Sequence, residues 1–80
     1  MNDIMELFLN EKVAVTFETE EAYDEFMKLC DKYEIGWSSG DRATELDNFG
    51  LSYCYDYDDG IMMDNRSYYE HENYRIIVMK

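Results

Sequence analysis

Four aspartates fall within the nine residues 56–64, DYDDGIMMD. Carboxylates at this density indicate Ca²⁺ chemistry, but an EF-hand loop needs oxygen ligands at positions 1, 3 and 5, glycine at 6 and glutamate at 12. Counted from Asp56, the glycine comes one position early, and position 12 is Ser67. We therefore predict no metal site of this kind, and only incidental binding of a divalent cation stays open.

No group of residues predicts catalysis. His71 is the only histidine and lies in YYEHENY, which favours an exposed turn. Acid–base catalysis needs two carboxyl groups in different environments beside a pocket, and nothing in the sequence marks one. Cys30 and Cys54 have no adjacent basic residue to activate them and are expected to be buried, reduced thiols. Two cysteines and one histidine at these spacings do not make a zinc site. We expect a protein that is not an enzyme and carries no cofactor.

The net charge is the strongest indication of function. Nineteen acidic residues stand against seven basic ones, which gives −12 over 80 residues. Binding to nucleic acid or to an anionic membrane needs clusters of lysine and arginine, and there are none. A charge of this size steers encounters with basic partners. The competing interpretation is that the acids only keep the protein soluble. With no apolar run near the ~20 residues of a membrane span, we expect a cytoplasmic protein.

Hydrophobic periodicity predicts the elements of the first half. Residues 1–10 form an N-terminal extension or a short helix, and residues 12–17, KVAVTF, alternate as a strand does. Thr19 then caps a helix that runs to about Tyr33. The inner stripe of this helix is expected to comprise Ala22, Phe26, Leu29, Cys30 and Tyr33. Residues 38–50 form a long loop, mobile or functional, with room for one helical turn.

The second half predicts a hairpin and a final strand. Tyrosines and aspartates alternate over residues 51–57, and Asp59-Gly60 is a strong hairpin-turn signal before a short return strand. Ser67 is expected to cap a helical turn that ends at Asn73. Residues 74–79 are apolar on both faces, which predicts a central strand. The sum is a single α+β domain, residues 1–80, with an antiparallel or mixed sheet of four to five strands packed against one main helix.

Three stretches carry a resemblance: KVAVTFETEEAYDEFMKLCDKYEIGWSSG, LSYCY and RSYYEHENYRIIVM. They resemble a group of small proteins from phages and prophages of Gram-positive bacteria, which run strand, T-E-E-x-A helix, W-x-S-G, tyrosine-rich strand and a YYE…Y-x-I-I segment. The resemblance spans residues 12–79 and implies a phage origin. Small acidic phage proteins include inhibitors of host defence, such as anti-CRISPR proteins, some of which mimic nucleic acid. This chain departs from the group in its denser DYDDG and in Asn73, where glycine is common.

Charge and resemblance together predict an anti-CRISPR-like inhibitor in the host cytoplasm. It would act as a monomer or homodimer and mimic nucleic acid in the basic groove of a host protein, such as a CRISPR effector nuclease. Alternate residues of a strand lie about 6.6–7 Å apart, close to the spacing of neighbouring backbone phosphates. The expected contact residues are Asp56, Tyr57, Asp58, Asp59 and Asp64 in the hairpin, with Asp41, Glu45 and Asp47 in the long loop.

Two alternatives stay open. One is a module that binds a protein without mimicry. The other is an oligomeric sponge for a signalling nucleotide, for which the candidate residues are Arg42, Arg66, Arg75, Tyr68 and Trp37. Most tyrosines are expected to be half-buried packing residues. Tyr57, beside the turn, is the one expected to be exposed, and Trp37 is expected to lie in the core.

Overall fold

The computed structural model describes residues 3–80 and shows an α+β fold of four strands and three α-helices. The elements are α1 (Asp3–Asn10), β1 (Val13–Phe17), α2 (Glu20–Lys32), β2 (Tyr53–Tyr57), β3 (Ile61–Asn65), α3 (Arg66–His71) and β4 (Arg75–Met79). The sheet has the order β3-β2-β1-β4, in which β1 is antiparallel to β2 and parallel to β4. The predicted fold class is confirmed, although α1 and α3 accompany the one main helix. None of the helices in this part of the chain is long and apolar enough to cross a membrane.

The two faces of the sheet are covered unequally. Helices α1 and α2 pack on one face and enclose the main core, which includes Phe8, Val15, Phe26 and Tyr55. The six-residue α3 lies over the other face, where Tyr69 packs against a smaller cluster. Met62 and Val78 are exposed on this second face, so part of it stays open beside the short α3.

Helix α2 begins where the sequence predicts. The Thr19 side chain accepts a hydrogen bond from the Ala22 backbone N–H at 3.1 Å, which satisfies a donor that the first turn leaves free. The buried stripe is rotated from the predicted one, since Tyr23 and Met27 are buried. Tyr33 is 46% exposed, so its predicted place in the stripe is wrong. The reason is that Tyr33 is the C-cap, one residue beyond the helix.

Side chains of the core tether the long loop. The Tyr23 hydroxyl accepts from the Asn48 N–H at 3.0 Å, and the Tyr55 hydroxyl donates to the Asn48 carbonyl at 2.6 Å. The Trp37 indole N–H donates to the Ala43 carbonyl at 3.1 Å. The predicted helical turn is present as a 3₁₀ turn, Ala43–Glu45. The loop is therefore attached to the core along its length.

The Asp59-Gly60 hairpin turn is confirmed. Asp59 has φ 60° and Gly60 has φ 137°, and a Cβ on Gly60 would lie 2.6 Å from the Ser38 Cα. Glycine is needed here both for its conformation and for this close approach. The prediction that Ser67 caps the next helix is wrong, because the helix begins at once after β3 and its N-cap position is Asn65.

Strand β4 lies at an edge of the sheet, so its predicted central position is wrong. Ile77 and Met79 pack toward the main core, while Ile76 packs against the cluster under α3. The strand is apolar on both sides because both faces of the sheet are partly covered. Sequence periodicity does not separate this case from a strand with two neighbours.

Candidate functional site

Asp56 is buried, with 6% of its surface exposed. It lies on the α3 face of β2, and its Oδ1 accepts a hydrogen bond from the Tyr69 hydroxyl at 2.6 Å. Its Oδ2 accepts a longer one, 3.3 Å, from the Tyr74 hydroxyl. The alternation of tyrosine and aspartate along β2 is as predicted. The expectation that Asp56 belongs to an exposed acidic face is wrong, because α3 and the approach to β4 place two tyrosines over it.

The tyrosines over Asp56 form a chain of edge-to-face contacts. The Tyr69 ring centroid is 5.1 Å from that of Tyr68 and 4.9 Å from that of Tyr74. Burial raises the pKa of Tyr69, and the hydrogen bond to Asp56 and the charge of Asp56 add to the rise. Desolvation, followed by the charge of Asp56, also raises the pKa of Tyr74. Both hydroxyls therefore stay protonated at neutral pH and donate hydrogen bonds to Asp56.

A cavity of about 180 Å³ opens beside this cluster. Its lining residues are Asp56, Asp58, Met62, Met63, Asp64, Tyr68, Tyr69 and Tyr74. Three aspartates and three tyrosines thus line one small space, and no basic residue is among the lining residues. Carboxylates and aromatic ring faces both attract cations. The chemistry of this cavity therefore suits a cationic group.

The remaining hairpin residues surround the tip of the turn. Asp58 and Asp59 are exposed, and the backbone of Gly60 packs against Ser38 at the start of the long loop. Asp41 lies three residues after Ser38 in the same loop, and its carboxylate accepts a hydrogen bond from the Ser39 hydroxyl at 2.8 Å. The turn thus adjoins the first part of the loop.

Glu45 and Asp47 belong to a different part of the surface. Glu45 is exposed, and its Oε1 accepts from the Arg42 backbone N–H at 2.9 Å. Asp47 lines a groove together with Glu20 and Asp24 of α2. The second half of the loop therefore adds its acids to those of the helix.

Tyr57 does not share a face with the aspartates of the hairpin. It is half-buried and packs toward the main core, with its ring centroid 6.2 Å from that of Phe8. The prediction that Tyr57 is the exposed tyrosine of this region is wrong, since Tyr57 is half-buried and Tyr68 is 47% exposed. The reason is that α1 covers the strand end on which Tyr57 lies.

The sequence predicts Tyr69 and Tyr74 as packing residues and offers Tyr68 only as a candidate for nucleotide binding, so none of the three is predicted beside Asp56. The available signal was the parity of β2, which places Asp56 on the same face as Cys54. An aspartate on the same strand face as a buried cysteine is itself expected to be buried and to need hydrogen-bond donors. The tyrosine pair in the segment that follows the hairpin could supply them.

The residues considered for nucleotide binding are dispersed. Arg42 lies 3.6 Å from Asp31, and Arg66 lies 3.4 Å from Glu70. The Trp37 side chain is buried, as predicted. Arg42 lines a cavity of about 330 Å³, but the other charged lining residues are acidic. This arrangement does not favour a phosphate ligand.

Both cysteines are free and buried, as predicted. Cys30 lies in the main core and Cys54 under α3. Burial, with a smaller contribution from Asp31, raises the pKa of the Cys30 thiol to about 12, and burial also raises the pKa of the Cys54 thiol. Within residues 3–80, no three side chains of His, Cys, Asp or Glu are grouped so that they could hold a metal ion.

No protein-family model matches this chain, and no curated protein or solved structure matches it.

Proposed function

We propose that this protein is a non-enzymatic, anti-CRISPR-like inhibitor that binds the basic groove of a nucleic-acid-binding host defence protein. The observation that carries the proposal is the cation-suited cavity beside Asp56, with exposed aspartates around it, in a chain of net charge −12. A groove built to bind phosphates presents arginine and lysine side chains. Those side chains match both the charge and the aromatic lining of this site.

The contact surface that we propose is the end of the hairpin. Asp58, Asp59 and Asp64 are exposed there, and Tyr68 adds an exposed ring on the neighbouring helix. Because Asp56 is buried, Asp56 and Asp58 do not form an exposed pair spaced like two neighbouring phosphates. The mimicry that we propose is therefore of the negative charge of nucleic acid and not of the regular spacing of its phosphates.

Many weak contacts would act together at this surface. An exposed ion pair contributes about 0–1 kcal/mol, so single charge pairs do not hold a complex. Acids clustered opposite a basic groove accelerate association and select the partner. Tyrosine supplies contact area at low cost in conformational entropy. Binding should therefore depend steeply on salt and on the hairpin acids together.

The test is affinity capture from a lysate of the bacterial host with three forms of the protein. The first is the wild type, and the second carries Asp58→Asn, Asp59→Asn and Asp64→Asn. The matched control removes three exposed charges from α2 through Glu20→Gln, Glu21→Gln and Glu25→Gln.

We expect the wild type and the α2 control to retain a basic nucleic-acid-binding protein, and an excess of DNA or RNA to displace it. The hairpin variant should lose at least tenfold in affinity. If a captured partner stays bound to the hairpin variant and is not displaced by nucleic acid, the mimicry proposal is wrong and a different interaction surface is in use.

A further inference from the structure

We infer that the cavity beside Asp56 receives a single arginine side chain of a partner protein. The inference deepens the proposed function, on which it rests for the existence of a basic partner. It adds a specific anchor to what is otherwise a diffuse acidic surface.

The first support is the charge of Asp56, which has no cationic partner. The ion pairs within 4 Å in the described part of the chain join Arg42 to Asp31 and Arg66 to Glu70, and neither involves Asp56. A buried carboxylate is destabilising unless a cation or several hydrogen bonds compensate it. Two tyrosine hydroxyls compensate Asp56 in part, and a cation in the adjacent cavity would complete the compensation.

The second support is the unused acceptor capacity of Asp56. An ionised carboxylate has about four lone-pair positions for hydrogen bonds. Tyr69 occupies one position on Oδ1 and Tyr74 one on Oδ2. One position therefore remains on each oxygen, which is the number that the two parallel N–H groups of a guanidinium require.

The third support is an available aromatic surface. Tyr68 lines the cavity and is 47% exposed, so part of its ring is available to a guanidinium. Tyr74 already has a cation near it, since the Lys12 Nζ lies 5.2 Å from its ring centroid. We therefore assign the stacking role to Tyr68 and leave Tyr74 as a hydrogen-bond donor to Asp56.

The fourth support is the size and rim of the cavity. Its volume of about 180 Å³ is below the roughly 300–1,000 Å³ of sites that bind whole small molecules. Met62, which lies opposite Asp56 on β3, lines it as well, and its thioether suits the methylene stem of a long side chain. Arginine fits better than lysine because its planar fork pairs with a carboxylate through two bonds and is less strongly hydrated.

The experiment titrates N-acetyl-arginine amide into the full chain labelled at the methionine methyl groups, with the lysine analogue as the matched ligand. We expect saturable shifts of the Met62 methyl signal with the arginine compound, and much smaller ones of Met63, which packs toward the main core. The lysine compound should bind at least fivefold more weakly. Tyr68→Leu and Asp64→Asn should each weaken arginine binding at least threefold, whereas Tyr33→Leu, which replaces a comparably exposed tyrosine outside the cavity, should leave it unchanged.

The results separate this inference from the proposed function. Shifts that do not saturate, that spread over the whole acidic surface or that Mg²⁺ alone reproduces would overturn the inference. A captured partner that is lost with the hairpin charge variant but kept with Tyr68→Leu would leave the proposed function standing without the arginine anchor. Saturable arginine binding in the cavity, with no partner displaced by nucleic acid, would support the cavity and contradict the mimicry.

Discussion

Replacing Tyr69 with phenylalanine tests how Asp56 is held in the protein. The substitution keeps the ring, which packs against Ala14 and Cys54, and removes only the hydroxyl. The hydroxyl lies 2.6 Å from Asp56 Oδ1, and Tyr69 is 2% exposed. The carboxylate of Asp56 is then left with the longer hydrogen bond from Tyr74.

The expected loss follows from the type of hydrogen bond. A hydrogen bond to a charged group contributes about 1.5–3 kcal/mol, and a neutral one about 0.5–1.5 kcal/mol. We expect Tyr69→Phe to lower the free energy of unfolding by about 2 kcal/mol. Tyr74→Phe should lower it by about 1 kcal/mol or less, because that bond is 3.3 Å long and the side chain is only half-buried. Tyr68→Phe, at an exposed position, should change it by less than about 0.5 kcal/mol.

The assay is urea unfolding followed by the fluorescence of Trp37, the one tryptophan, whose side chain is buried. Proteins of this size have urea m-values near 1 kcal/mol per M. Tyr69→Phe should therefore lower the unfolding midpoint by about 2 M with an unchanged slope, and the melting temperature by about 8–16 °C.

The order of the three variants is the sharpest part of this prediction. If Tyr69→Phe unfolds within about 0.5 kcal/mol of the wild type, the hydroxyl does not hold the buried carboxylate. If Tyr74→Phe proves the more damaging of the two, the roles assigned to the hydroxyls are reversed. Either result would refute the reasoning about Asp56.

Three further predictions concern the frame around the site. Gly60→Ala should destabilise the protein by at least about 2 kcal/mol, because φ is 137° and the new Cβ would lie 2.6 Å from the backbone of Ser38. Gly40→Ala is the control in the same urea assay. It should destabilise the protein less, because Gly40 has φ 101° but open space around it. The thiols of Cys30 and Cys54 should react with a thiol reagent only at the rate of unfolding, and fast labelling of the native protein would contradict their burial. Burial raises the pKa of Tyr55 above its ordinary value near 10. Above that pH the unfolded chain loses the Tyr55 proton while the folded chain keeps it, so the urea midpoint should fall as the pH rises from about 10. A midpoint that stays constant to about pH 11 would contradict this.

Much of the local structure could be predicted because it depends on neighbouring residues. Thr19 caps α2 through a bond three residues away, and Asp59-Gly60 makes its turn with its own backbone angles. Asn73, where the sequence predicts the end of the helical turn, has φ 64°, the left-handed conformation that asparagine tolerates. Each of these features needs only a few adjacent residues, so the sequence alone was enough.

The candidate site could be predicted only in part. The sequence gathers Asp56, Asp58 and Asp64 into one hairpin, and the structure brings all three to one cavity. The sequence does not say which of these three aspartates are exposed. That depends on which segment packs over each face of the sheet, as the placement of Tyr57 under α1 also shows.

The amino-acid sequence by itself determined the fold class, the hairpin with its alternating faces and the acidic charge of the surface. The tertiary structure decided the edge position of β4 and the burial of Asp56. Both depend on contacts between residues far apart in the chain, such as the hydrogen bonds from Tyr69 and Tyr74 to Asp56. Whether a residue is buried depends on such long-range contacts, so the periodicity of residue types within one strand does not predict it.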